Sequence, residues 1–155
     1  MDNFLRAACQ IAIEQKLAIV IIGRSAASLP PPWLPGDNGP VEVVDLCGQI
    51  TTADLPALLA RAELILCNDS GAYHLGVSLD RPTVAVGGGG MPVRYFPYPF
   101  PAGARSRVLA RSVACAGCTW RCIYPDVPGK PHWCVSLISW PEVVAAARQL
   151  LQSPG

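Results

Sequence analysis

The sequence predicts an α/β fold, a parallel sheet with helices on both faces. Three observations predict it. Short β-branched or apolar runs at residues 18–22, 41–46, 63–67, 82–86 and 107–110 alternate with helical patterns. Glycine-bearing turns follow four of those runs, at Gly23, Gly48, residues 68–71 and residues 87–90. The chain has 155 residues, 51% of them apolar, enough for one domain with a real core.

The elements follow in order. Residues 4–16 carry Phe4, Leu5, Ala8, Ile11 and Ala12 at near-helical spacing. Residues 18–22 form a short buried strand ended by Gly23. Residues 29–40 hold five prolines and two glycines and predict an extended surface loop. Residues 41–46 are a second strand. Thr51 or Thr52 caps a helix over residues 53–61, with Pro56 near its first turn. A third strand over 63–67 leads into a helix over 71–79, and a fourth strand at 82–86 ends in four glycines. Residues 91–104 are a proline- and aromatic-rich loop, and 107–110 a short fifth strand. A cysteine segment spans 115–134. Pro141 opens a last helix with Val143, Val144, Ala147, Leu150 and Leu151 on its apolar side.

Composition excludes several classes. A net charge of +1 argues against a nucleic-acid partner or a membrane surface held by charge. No segment predicts a transmembrane span, since the longest apolar stretch, 7–22, is broken by Glu14, Gln15 and Lys16. The first residues lack the basic region of a signal peptide. The expected location is therefore cytoplasmic, where thiols stay reduced. Seven cysteines are many for such a protein, and an odd number does not suit a closed disulfide framework.

The stretch Asn68-Asp69-Ser70-Gly71 with His74 carries the most chemistry. It joins a buried strand to a helix start, where free backbone N–H groups meet the positive end of the helix dipole. Such a turn suits a phosphate or diphosphate, and on its own motif it reads first as a plain helix cap. In a parallel sheet the turns at the carboxyl ends of the strands share one rim. Gly23, Gly48, the 68–71 turn and the glycine run with Gly88, Gly89 and Gly90 would then face one nucleotide-type crevice. Neither a dinucleotide-binding glycine motif nor a Walker A lysine pattern is present. Asp69 reads as a structural cap and a poor base, because a helix N-terminus lowers a carboxylate pKa. His74 reads either as a phosphate-bonding side chain or as a packed histidine.

Several stretches together resemble one known family. They are residues 45–51, 55–66, Asn68-Asp69-Ser70-Gly71 with His74, and 82–86. The sequence resembles the C-terminal half of glycosyltransferase family 9, which contains the ADP-heptose lipopolysaccharide heptosyltransferases. The likeness runs from about residue 4 to 151. A second piece, from Gly88 through Arg94-Tyr95-Phe96-Pro97-Tyr98-Pro99 to the cysteine segment, looks like a subgroup whose acceptor is unassigned. The resemblance implies a GT-B enzyme of two Rossmann-like domains, this chain being the Rossmann-like C-terminal one. It implies a nucleotide-diphosphate-sugar donor lined by Asn68, Asp69, Ser70, Gly71 and His74, and no required cofactor. It further implies a separate N-terminal acceptor domain holding the catalytic carboxylate, so that the chain alone is inactive. Contact with the inner membrane would come only through the acceptor. Ala72 and Tyr73 stand where the family usually has Pro and Met, and Arg24-Ser25-Ala26 where many members have an acidic residue.

Cys115, Cys118, Cys122 and Cys134 form the second constellation. Four thiolates at such spacing suit a tetrahedral zinc site, though the later spacing is not that of a zinc ribbon. Reduced loop thiols and one or two disulfides fit the same residues. Cys9, Cys47 and Cys67 sit in apolar contexts and read as small core residues.

Overall fold

The computed structural model describes residues 2–24, 41–90, 97–99, 101–119, 121–124, 128 and 131–152. The expected proline-rich loop at 29–40 and Arg94 with its aromatic neighbours lie outside the described residues. Helix α1 (Asp2–Gln15) leads to β1 (Ile19–Ile21), then β2 (Val43–Asp45), α2 (Leu55–Leu59), β3 (Ile65–Asn68) and α3 (Gly71–Ser78). Strands β4 (Thr83–Val86) and β5 (Ser106–Leu109) follow, then α4 (Trp133–Ser136) and α5 (Trp140–Gln152).

Every strand pairing is parallel, as expected. The strands form two sheets rather than one: β1–β2 and β3–β4–β5. The facing edges of β1 and β3 border one cavity and do not pair. Helices cover both faces. On one, α1 and α5 pack together over Val84 and Val86 of β4. On the other, Leu59 of α2 and Tyr73 of α3 pack on Ile65, Cys67 and Ala85. The alternation along β4 sends successive side chains into the two clusters, and all four of its residues are buried.

Helix ends show what the sequence reading missed. Helix α1 ends in a Schellman-type turn: the Leu17 N–H donates to Ala12 O at 3.0 Å, with Lys16 at φ 56°. Helix α3 ends the same way, Arg81 N–H donating to Gly76 O with Asp80 at φ 52°. Neither site carries the glycine that usually signals this stop. Helix α2 is shorter than expected, and its N-cap is Asp54, not a threonine. The Thr51 hydroxyl and N–H both donate to the Asp54 carboxylate instead. At α5, Glu142 accepts from the Ser139 N–H at 3.0 Å, one half of a capping box, while pairing with Arg111. The four-residue α4 lies in the cysteine segment, which carried no helical pattern in the sequence reading. No helix among the described residues is long and apolar enough to cross a membrane.

Candidate functional site

The site begins where β3 runs out. Asp69 N–H donates to Val86 O at 3.1 Å and ties the turn to the neighbouring strand. Ser70 is the N-cap of α3, in extended geometry with φ −155° and ψ 173°. No side-chain hydrogen bond caps this helix. The N–H groups of Gly71 and Ala72 therefore stand at a positive helix end with no capping side chain taking them up. A Cβ built on Gly71 meets nothing within 4 Å, so the space before the helix is open.

Asp69 departs from expectation. It does not cap the helix, and its carboxyl is held above the usual range rather than below it. Burial is the larger cause; the charge of His74 pulls the other way and loses.

His74 lies one turn into α3. Its Nδ1 is 2.9 Å from the Tyr98 hydroxyl. The Tyr98 N–H in turn donates to the Tyr73 hydroxyl at 3.4 Å, and the three rings meet with centroids 5.4 to 5.8 Å apart. Tyr73 is fully buried and anchors the group. The sequence reading placed Tyr98 in a loop and in the second stretch of resemblance, without linking it to His74. Its partner sits 24 residues away in sequence, and no local pattern links them.

The expected rim is assembled in part. Gly48, at φ 71°, donates its N–H to Gly23 O at 2.9 Å, so the turns after β1 and β2 are joined. Gly23, Asn68 and Ser70 all line the cavity between β1 and β3, whose volume is about 560 Å³. Gly88, Gly89 and Gly90 are placed differently. All three are buried. Gly89 and Gly90 accept from the N–H groups of Gly117 and Thr119 at 2.7 and 3.0 Å, and the Gly89 N–H donates to Cys134 Sγ at 3.4 Å. Here the glycine run holds the cysteine segment against the sheet.

None of the seven cysteines forms a disulfide. Cys115, Cys118, Cys122 and Cys134 are half-buried. Among the described residues, no group of three or more His, Cys, Asp or Glu side chains is arranged to hold a metal ion. Cys67 of β3 is buried, and that burial, with the Asp69 charge adding to it, pushes its thiol up to about 12.

A family model described as Glycosyltransferase family 9 (heptosyltransferase) matches residues 10–117, a span that includes the 68–71 turn, His74 and all five strands. The chain belongs to glycosyltransferase family 9. Among solved structures, a family 9 glycosyl transferase from Veillonella parvula superposes with a TM-score of 0.66 at 24% identity, over 97% of this chain and 40% of that one. The ADP-heptose lps heptosyltransferase II of E. coli gives a TM-score of 0.63 at 21% identity, over 96% of this chain and 41% of that one. Both likenesses are likenesses of fold. The family 9 chain described here spans about two-fifths of the length of either. No curated protein matches it.

Proposed function

We propose that this chain is the donor-binding part of a family 9 glycosyltransferase. Its donor is a nucleotide-diphosphate sugar of heptose type, and the acceptor a glycan of lipopolysaccharide type. The observation that carries this reading is the open, side-chain-uncapped start of α3 inside the span matched by the family. Transfer needs a base for the acceptor hydroxyl and a group to stabilise the departing diphosphate. The Gly71 and Ala72 N–H groups supply the second, at a helix end that favours the charge growing on the phosphate. His74, held by Tyr98, stands one turn along the same helix and can hydrogen-bond a phosphate oxygen. Gly23, Gly48 and Asn68 would border the nucleotide side of the site.

The base is assigned to an acceptor domain outside these residues. Asp69 lies within the turn, half-buried and with its N–H tied to Val86 O, which suits it to support the turn rather than to reach an acceptor hydroxyl. Transfer on this reading takes place in the cytoplasm and requires both domains.

Calorimetric titration with ADP, UDP, GDP and CDP, and with the matching nucleosides, tests the reading. One or more diphosphates should bind, and the corresponding nucleoside should bind at least tenfold more weakly. Folded protein that binds none of the diphosphates would overturn it.

A further inference from the structure

Exposed apolar side chains gather in and just beyond the cysteine segment. Ile123, Tyr124, Trp133 and Leu137 are 72%, 41%, 43% and 39% exposed. Tyr124 and Trp133 pack ring against ring, with centroids 4.9 Å apart and planes tilted by 38°. Trp133 and Leu137 stand at the two ends of α4, four residues apart, and so share one face of that turn. Ile123 adjoins Tyr124 in the chain. Apolar side chains exposed singly are ordinary, whereas a contiguous group marks a surface that meets a ligand or a partner.

The backbone beneath this group is held firmly. The Val135 and Ser136 N–H groups both donate to His132 O at 3.0 Å, and Arg111 donates to Leu137 O at 3.3 Å. Ile138 is buried in the core cluster, with Val135 packed against it. The short helix thus sends Val135 and Ile138 inward and leaves Trp133 and Leu137 outside. Rings on a fixed base lose little freedom when a ligand settles on them. The same segment is tied to the donor rim. The Gly89 N–H donates to Cys134 Sγ, the residue next to Trp133. Gly89 lies three residues beyond Val86, whose carbonyl accepts from the Asp69 N–H. Those three residues span at most about 10 Å of chain. The aromatic pair and the 68–71 turn are therefore both anchored at the carboxyl end of β4.

We infer that the Tyr124–Trp133 pair is a stacking platform for a sugar ring of the acceptor glycan. The inference rests on the reading given under Proposed function, which makes the acceptor a glycan. A pyranose carries its hydroxyl groups around its edge and C–H groups on its faces. The C–H face is apolar and faintly positive, the face of an aromatic ring is negative, and the two stack. The Tyr124 hydroxyl and the Trp133 indole N–H give the platform polar ends suited to sugar hydroxyl groups. Ile123 and Leu137 extend the apolar surface beside the rings. Two observations favour a glycan over a lipid surface. The patch is anchored at the rim where transfer is proposed, and a net charge of +1 gives no general attraction to anionic headgroups. The base stays with the acceptor domain, while the platform holds one ring of the glycan on the donor side.

Calorimetry on the full chain tests the inference, with lipid-free core oligosaccharide of lipopolysaccharide as the probe. The chain should bind the oligosaccharide, and Trp133→Ala should weaken binding by about tenfold or more. Trp133→Phe, which keeps a ring, should bind more tightly than Trp133→Ala. Because Trp133 is exposed, both variants should keep the parent Tm. Their affinity for nucleoside diphosphates should also be unchanged, since the pair lies outside the 68–71 turn. Absence of oligosaccharide binding, or equal affinity in Trp133→Ala, would overturn the inference. So would Trp133-dependent binding to phosphatidylcholine vesicles without binding of the oligosaccharide, which would mark a lipid surface. A dimer in sedimentation that is lost in Trp133→Ala, again without oligosaccharide binding, would overturn it in favour of a second copy. The oligosaccharide readout needs no nucleotide, so failure of the platform and failure of donor binding are separate results.

Discussion

The hydroxyl of Tyr98 lies 2.9 Å from Nδ1 of His74, and these two side chains come from opposite ends of the β4 crossover. The pairing turns a helix histidine and a loop tyrosine into one unit at the edge of the 68–71 turn. It engages the Nδ1 side of the His74 ring. Tyr98→Phe should therefore shift the ring nitrogen resonances of His74 and weaken diphosphate binding by roughly the cost of one hydrogen bond, about 1 kcal/mol. Unchanged ring shifts in a folded variant would disprove the pairing.

Gly71→Val places a branched side chain in the open space before α3. Because that Cβ meets nothing in the protein, the fold should be retained. Diphosphate binding should weaken by about 2–3 kcal/mol, the range of one or two lost charge-assisted hydrogen bonds. Paired calorimetry and thermal melting separate the two effects. Unaltered affinity would remove the turn from the site.

Gly76 is a different case. A Cβ there collides with Thr83 Oγ1 and closes to 3.0 Å from Ile65 Cδ1. Thr83 is fully buried and its hydroxyl is held by Arg81 O at 2.8 Å, so it has little room to yield. Gly76→Ala should destabilise the protein by about 1–3 kcal/mol through overpacking. The further change Thr83→Ala should recover part of that loss relative to its effect alone. A urea-denaturation double-mutant cycle showing no coupling would refute the contact.

Two ion pairs set an acid limb of stability. Arg148 holds the Glu14 carboxyl, and Arg111 with Ser139 holds that of Glu142, each at about 2 against an ordinary 4.5. Folded-state values below the unfolded ones favour folding above about pH 4.5. That contribution is lost as pH falls from there toward 2. Both pairs are solvent-exposed, so the effect is modest and salt-screened. Glu14→Gln and Glu142→Gln together should flatten Tm between pH 4.5 and 2, most visibly at low salt. An acid limb of the same depth in the double variant would show that other groups cause it.

Thiol labelling should divide the cysteines. Cys9, Cys47 and Cys67 are buried, and burial raises the thiols of Cys9 and Cys67. Cys115, Cys118, Cys122 and Cys134 are half-buried and should react first with an aromatic disulfide reagent, the other three only on unfolding. If those four label slowly until a chelator is added, they belong to a metal instead.

Most of the scaffold was legible because its signals are local. Residues 82–86 and 63–67 read as strands from their branched and apolar side chains, and both lie where expected to within about two residues. The turn at 68–71 was legible for the same reason: strand, short polar residues and helix are contiguous. What escaped depends on partners far off in the chain. The glycine run at 87–90 looks like any strand-end turn until Gly117, Thr119 and Cys134 are found bonded to it. Asp69 was misjudged because the helix dipole is readable from sequence while burial is not. The split of the sheet escaped because edge pairing between strands some 45 residues apart leaves no periodic trace.

Helix α1 lies along α5, with Asn3 Nδ2 donating to Ile138 O and Glu14 bridging to Arg148, partners separated by 135 and 134 residues. Ala7 and Ile11 share one buried cluster with Val143, Ala147 and Leu150. During synthesis α1 must therefore wait for α5 before its apolar stripe is shielded. This core is complete only after residue 150 has been added, and through that interval the nascent chain offers chaperones a hydrophobic helix.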